Sequence, residues 1–136
     1  MKQLQKRFVS IVMFLSLWMS CSLFADINFD MAPELRLGRY RLEGSALGSN
    51  IVSYTGEVDI AQHGENFLVK WWIGNTQSQT GIGILLGRTL SVSFYDDMKA
   101  TYGVAVFYLS DYGYLKGYWT FHNRLMQGKE ELTFLW

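Results

Sequence analysis

Short runs in which every second residue is apolar constrain this chain more than any other feature. Leu90, Val92 and Phe94 alternate with Ser91 and Ser93, and Leu132, Phe134 and Trp136 alternate with Glu131 and Thr133. Phe67, Val69, Trp71 and Ile73 share one parity, with Lys70 on the other. Successive side chains of a pleated strand point to opposite faces, so each run has one apolar face and one mixed face. No stretch downstream of residue 25 carries a 3.6-residue apolar period, which would mark a helix. The alternation predicts strands over 38–44, 51–62, 66–74, 80–86, 89–96, 102–110, 114–122 and 130–136.

The breaks between these runs carry turn chemistry. His63-Gly64-Glu65-Asn66, Leu86-Gly87-Arg88 and Ser110-Asp111-Tyr112-Gly113 each offer a glycine for a positive φ. Asp96 to Lys99 and His122 to Gly128 read as longer connections. Short links make successive strands antiparallel neighbours. The expected fold is therefore all-β, an antiparallel up-and-down meander of about eight strands whose closure into a barrel removes exposed edges.

The first 25 residues have a different character. Lys2, Lys6 and Arg7 precede an apolar run from Phe8 to Leu17, and no acidic residue occurs before Asp26. That order is the one of a secretory signal peptide, expected to form a helix and to be cut after Ala25. Ser22 is a second candidate end. Two rivals are an uncleaved membrane anchor over residues 8–25 and a lipoprotein signal modified at Cys21. Trp18 and Met19 suit a lipobox poorly. The expected organisation is thus a signal peptide at 1–25, a lead-in at 26–37 with the single proline (Pro33), and a barrel domain over 38–136.

Composition narrows the function. Three of the 12 basic residues and none of the 12 acidic ones precede Asp26, so the remainder carries net negative charge. Without a basic stripe there is no footprint for nucleic acid. The only cysteine, Cys21, lies in the signal, which removes disulfides, thiolate catalysis and cysteine metal ligands from the domain. His63 and His122 lack partners at metal-ligand spacing, and no metal or cofactor is expected. Gly81-Ile82-Gly83 is followed by no Lys-Ser/Thr, so it is no phosphate loop. Asp96-Asp97 reads as a turn, and Glu130-Glu131 is a further acidic pair. Glu57 and Asp59 share a strand face about 7 Å apart. That matches a hydrolase carboxylate pair by coincidence, and a solvated outer face is the simpler reading. No catalytic residue is expected.

Glycine and aromatic blocks recur in a fixed order: Gly38-Arg39-Tyr40, Tyr54-Thr55-Gly56-Glu57-Val58-Asp59-Ile60, Phe67 to Trp71, Gly81 to Leu85, Gly103 to Val106, and Gly113-Tyr114-Leu115-Lys116-Gly117-Tyr118-Trp119. With Glu130 near the end, they resemble a family of small exported bacterial proteins built of G-x-Y, Y-x-G-x-V-x-I and G-x-L-x-G-x-W blocks. The resemblance spans roughly residues 38–132 and implies a lipocalin- or avidin-like, calycin-like β-barrel. Asp111 falls two residues earlier than the Asp-Gly of the family pattern. The resemblance transfers no catalytic or ligand residue, and the barrel shape by itself fixes no ligand.

Aromatic residues are the informative candidates. Tyr54, Trp71, Phe107, Tyr108 and Trp119 are expected to line a cup at a barrel mouth for one small apolar ligand. Core filling competes with that reading, since an eight-stranded barrel is just wide enough for side chains to fill. A slip of one residue would exchange Trp71 for Trp72 inside. Periplasmic or extracellular binding of a small apolar ligand or an envelope component is the first functional expectation. Docking on an envelope or surface protein through exposed Tyr112, Tyr114 and Trp72 is the second. A small outer-membrane barrel is the third, suggested by the terminal Leu132 to Trp136, although several strands are shorter than a membrane requires.

Overall fold

The computed structural model describes residues 34–136; the expected signal helix and most of the lead-in lie outside the described residues. Eight strands follow one another: β1 (Gly38–Ser45), β2 (Val52–His63), β3 (Asn66–Ile73), β4 (Thr76–Leu86), β5 (Thr89–Asp96), β6 (Thr101–Leu109), β7 (Leu115–Phe121) and β8 (Gly128–Phe134). Each pairs antiparallel with its chain neighbour, and β8 returns to β1 from Tyr40↔Phe134 to Ser45↔Lys129. The result is a closed up-and-down barrel, as the alternation and the short links predict.

Turn chemistry sets the register. Gly64, Gly74 and Gly87 open the two-residue links β2–β3, β3–β4 and β4–β5 with φ of 63°, 67° and 59°. Left-handed backbone at that place matches the twist of paired strands, and only glycine adopts it without steric cost. The β1–β2, β3–β4, β5–β6 and β7–β8 links gather at one end, here the hairpin end. The β2–β3, β4–β5 and β6–β7 links lie at the other.

Period two decides which side chains go inside. Tyr40, Leu42, Val58, Ile60, Val69, Trp71, Leu90, Val92, Phe94, Phe107, Leu109, Leu115 and Leu132 are all buried. They fill the centre of the barrel, as the core-filling reading expects. Trp71 is 1% exposed, so it is the inward member of its pair, and Trp72 faces out. Leu35, in the expected lead-in, also packs into this core. Tyr40 donates its hydroxyl to the Arg36 carbonyl at 2.7 Å, and burial pushes that phenol up to about 12.

Two segments depart from the alternation. β4 begins at Thr76 rather than residue 80, because the polar run Thr76–Thr80 pairs with β3 and bulges where Trp71↔Gln79 gives way to Trp72↔Gln77. Ser78 and Gln79 are consequently buried, a placement their side chains do not announce. Trp136 falls past the end of β8 and is 70% exposed. Its ring is not core, although its carbonyl still accepts the Arg39 N–H at 2.8 Å.

One glycine positions an aromatic directly. Gly44 of β1 sits opposite Tyr54 of β2, and the Tyr54 ring lies over the place a Cβ at residue 44 would occupy. Gly44→Ala is expected to displace that ring and cost about 1–3 kcal/mol as an overpacking change. Urea unfolding measures the loss, and the Tyr54 contacts described next should disappear with it.

Candidate functional site

Inward positions near the hairpin end carry five rings that touch in sequence around the barrel. Tyr54 meets Trp119 edge-on at 6.4 Å between centroids, Trp119 meets Phe121 at 5.3 Å, and Phe121 meets Phe94 at 5.9 Å. Phe94 then meets Trp71 at 5.7 Å. Offset and edge-on pairs of this kind add to their area burial because ring edges are positive and faces negative.

A carboxyl group closes the arc. Glu130 of β8 points inward, one row from Leu132, and is 6% exposed. Tyr54 donates its hydroxyl to Glu130 Oε1 at 2.8 Å, and Trp71 donates Nε1–H to Oε2 at 3.2 Å. The first and last rings of the arc thus hold the same carboxylate. Burial raises the Glu130 carboxyl to about 7, while the two hydrogen bonds oppose the rise by favouring its charged form. The same burial, with the Glu130 charge beside it, drives the Tyr54 phenol far above its ordinary value.

One donor at this site is unmatched. Trp119 Nε1 is buried with no hydrogen-bond partner; it lies near the Tyr54 oxygen without the geometry of a bond to it. Such a group costs free energy unless something meets it. Next to the arc, buried Gln79 donates Nε2–H to Asp96 Oδ2 at 3.0 Å, and the Lys99 backbone N–H reaches Asp96 Oδ1 at 2.9 Å. Tyr54 and Trp119 are only half-buried, so the arc is reached from the hairpin end.

Four of the five expected ligand residues point inward. Tyr54, Trp71 and Trp119 come together in the arc, and Phe107 is buried in the core below it. Tyr108 does not join them: it faces outward, 53% exposed, with the Arg88 guanidinium 6.0 Å from its ring. Adjacent residues of a strand cannot both face inward, so Phe107 and Tyr108 exclude one another. Phe94, Phe121 and Glu130 were not among the expected residues. The signal for Glu130 was present, since Glu130, Leu132 and Phe134 share a parity opposite to Glu131 and Thr133.

The other candidate groups lie elsewhere. Glu57 and Asp59 sit on the outer wall, where Arg39 binds Glu57 at 2.6 Å and Asp59 at 2.5 Å. Arg39 also covers Trp72, 4.9 Å from its ring, which withdraws Trp72 from the exposed aromatics. Tyr112 and Tyr114 remain exposed. His63 is exposed at the end of β2, and His122 stacks on Tyr102 at 4.1 Å with Nδ1 3.1 Å from Thr101 Oγ1. No group of three metal-ligating side chains occurs among the described residues.

No protein-family model matches this sequence, and no curated protein matches it. Among solved structures, an Asn-to-Ala variant of the fluorescent protein UnaG is similar in fold, with 14% identity over 74% of this chain and 96% of that one and a TM-score of 0.48. At that identity and score the likeness carries nothing about ligand or activity.

Proposed function

We propose that this chain is an exported, non-enzymatic binding protein that receives one small apolar or amphipathic ligand at the hairpin end of its barrel. The observation that carries the reading is the half-buried pair Tyr54 and Trp119, the first bonded to the interior carboxyl of Glu130 and the second with an unmatched indole N–H. Apolar walls with a few convergent polar groups are the usual composition of small-molecule sites, and barrel mouths are a usual location. Because Trp71 and its neighbours fill the centre, the ligand rests on the arc rather than passing through the barrel. Export follows from the signal-like residues 1–25, with cleavage after Ala25 giving a periplasmic or extracellular domain.

Thermal unfolding with a series of apolar small molecules tests the binding reading, since a ligand of the native state raises the midpoint. Trp119→Ala should abolish the rise and Tyr108→Ala should leave it intact. No rise with any compound, or a rise lost with Tyr108→Ala alone, would overturn the site. Mass spectrometry of the protein from periplasm and medium tests export, the expected amino terminus being Asp26.

A second reading, docking on another protein, draws on the outer face of β4–β6. Ile82, Ile84, Val104 and Val106 are exposed there, and no charged residue stands at the outward positions of Ile82 to Leu86, Thr89 to Tyr95 or Tyr102 to Tyr108. An outer-membrane barrel fits less well. A lipid-facing wall is apolar all round, whereas outward positions here include Arg41, Glu57, Asp59, Lys70, Lys116 and Glu131.

A further inference from the structure

Buried charge at the hairpin end is one-sided. The buried polar side chains of the described residues are Ser45, Ser78, Gln79, Asp96 and Glu130: two acids and no base. Among the described residues, Glu130 meets only neutral donors, Tyr54 and Trp71, and the Asp96 carboxylate is met by Gln79 and a backbone N–H. Beside these acids stand aromatic faces, whose negative quadrupole attracts cations.

The chain already places a cation there. Lys99, exposed on the β5–β6 hairpin, reaches over the barrel mouth and sets its Nζ 4.9 Å from the centroid of Phe121, the middle ring of the arc. A lysine ammonium on a flexible four-carbon stem is held weakly and exchanges readily for another cation.

We propose that the hairpin end recognises an organic ammonium group, which takes the Phe121 face from Lys99 on the side of the barrel mouth where the Asp96 carboxylate lies. This rests on the ligand-binding reading above and adds the charge of the ligand to it. The apolar part of the ligand packs on Tyr54 and Trp119. Lys99 acts as a tethered competitor that covers the aromatic face while the site is empty.

The test compares three six-carbon probes that differ only in head group: hexyltrimethylammonium, hexanol and hexanoate. Tryptophan fluorescence titration and the thermal midpoint of the whole domain are the readouts. Hexyltrimethylammonium should bind and stabilise, hexanoate should not, and hexanol should fall between. Lys99→Ala, a change at an exposed hairpin side chain, should tighten hexyltrimethylammonium by about threefold or more as the competing cation–π contact is removed. It should leave hexanol unchanged. Lys129→Ala, which takes away an outer-wall lysine 5.8 Å from Tyr118, should alter neither probe. Hexanol or hexanoate binding as tightly as the ammonium probe would overturn the charge preference while leaving a ligand site standing. An unchanged ammonium affinity in Lys99→Ala would overturn the competition. Failure of all three probes to bind would overturn both the preference and the binding site.

Discussion

Trp71→Ala should lower the unfolding free energy by about 3–5 kcal/mol, the range for truncating a large aromatic in a packed core. Two losses add in this substitution. The indole is 1% exposed and fills the middle of the barrel, so its removal leaves a cavity that the closed wall cannot collapse around. It also removes the N–H that meets Glu130 Oε2 and leaves a buried carboxylate with Tyr54 alone. Trp71→Phe partly separates the two, since it keeps one aromatic ring while removing the donor and a smaller part of the core volume. That variant should lose about 1–3 kcal/mol, the cost of an acceptor deprived of its partner. Urea unfolding at pH 8, where Glu130 is ionised, reads both values. A loss below about 1 kcal/mol for Trp71→Ala would mean that the barrel is not packed around this residue.

The second large effect is a fall in stability with rising pH. Glu130 titrates near 4.5 in the unfolded chain and at about 7 in the barrel. Below pH 4.5 it is protonated in both states and costs nothing. Between 4.5 and 7 the unfolded chain gives up the proton while the folded one keeps it, so stability drops as pH climbs. Above about 7 both forms are ionised and the full cost, about 3 kcal/mol, has been incurred. Glu130→Gln, which keeps the shape and loses the charge, should flatten that slope. It should be more stable than the parent at pH 8 and close to it at pH 4. Thermal midpoints of the two proteins across pH 4–9 settle the matter. Parallel curves would show that the carboxyl is not buried as described.

Strand placement was legible because it depends on a local property. Val92 and Phe94 are buried and Ser91 and Ser93 exposed, as the alternation of β5 requires. The turns at Gly64 and Gly87 follow in the same way, since left-handed backbone selects glycine. Closure of the barrel was foreseen from strand number and short links. Which parity faces inward was not legible at β3, where Trp71 and Trp72 are chemically equivalent and only pairing with β2 and β4 distinguishes them. The start of β4 was hidden for a related reason. Thr76 to Thr80 has no apolar face, and its extended form is imposed by β3 along its length and by β5 at Gln79 and Thr80.

The site itself was half legible. Tyr54, Trp71 and Trp119 stood out as mid-strand aromatics, but Glu130 was masked by the rule that carboxylates are rarely buried. Its inward parity contradicts that rule, and an acid at an apolar position is the signal worth following. The failure of Tyr108 has the opposite origin. It stands next to Phe107 in β6, and neighbours in a strand face opposite ways.

The β1–β8 seam has a consequence for how the protein comes into being. Tyr40 to Ser45 pair with Lys129 to Phe134, so the wall is sealed by its first and last staves. Until β8 has been synthesised, β1 presents a naked row of amide groups, and the greasy lumen gapes along one side. The barrel therefore closes only once β8 is available to β1.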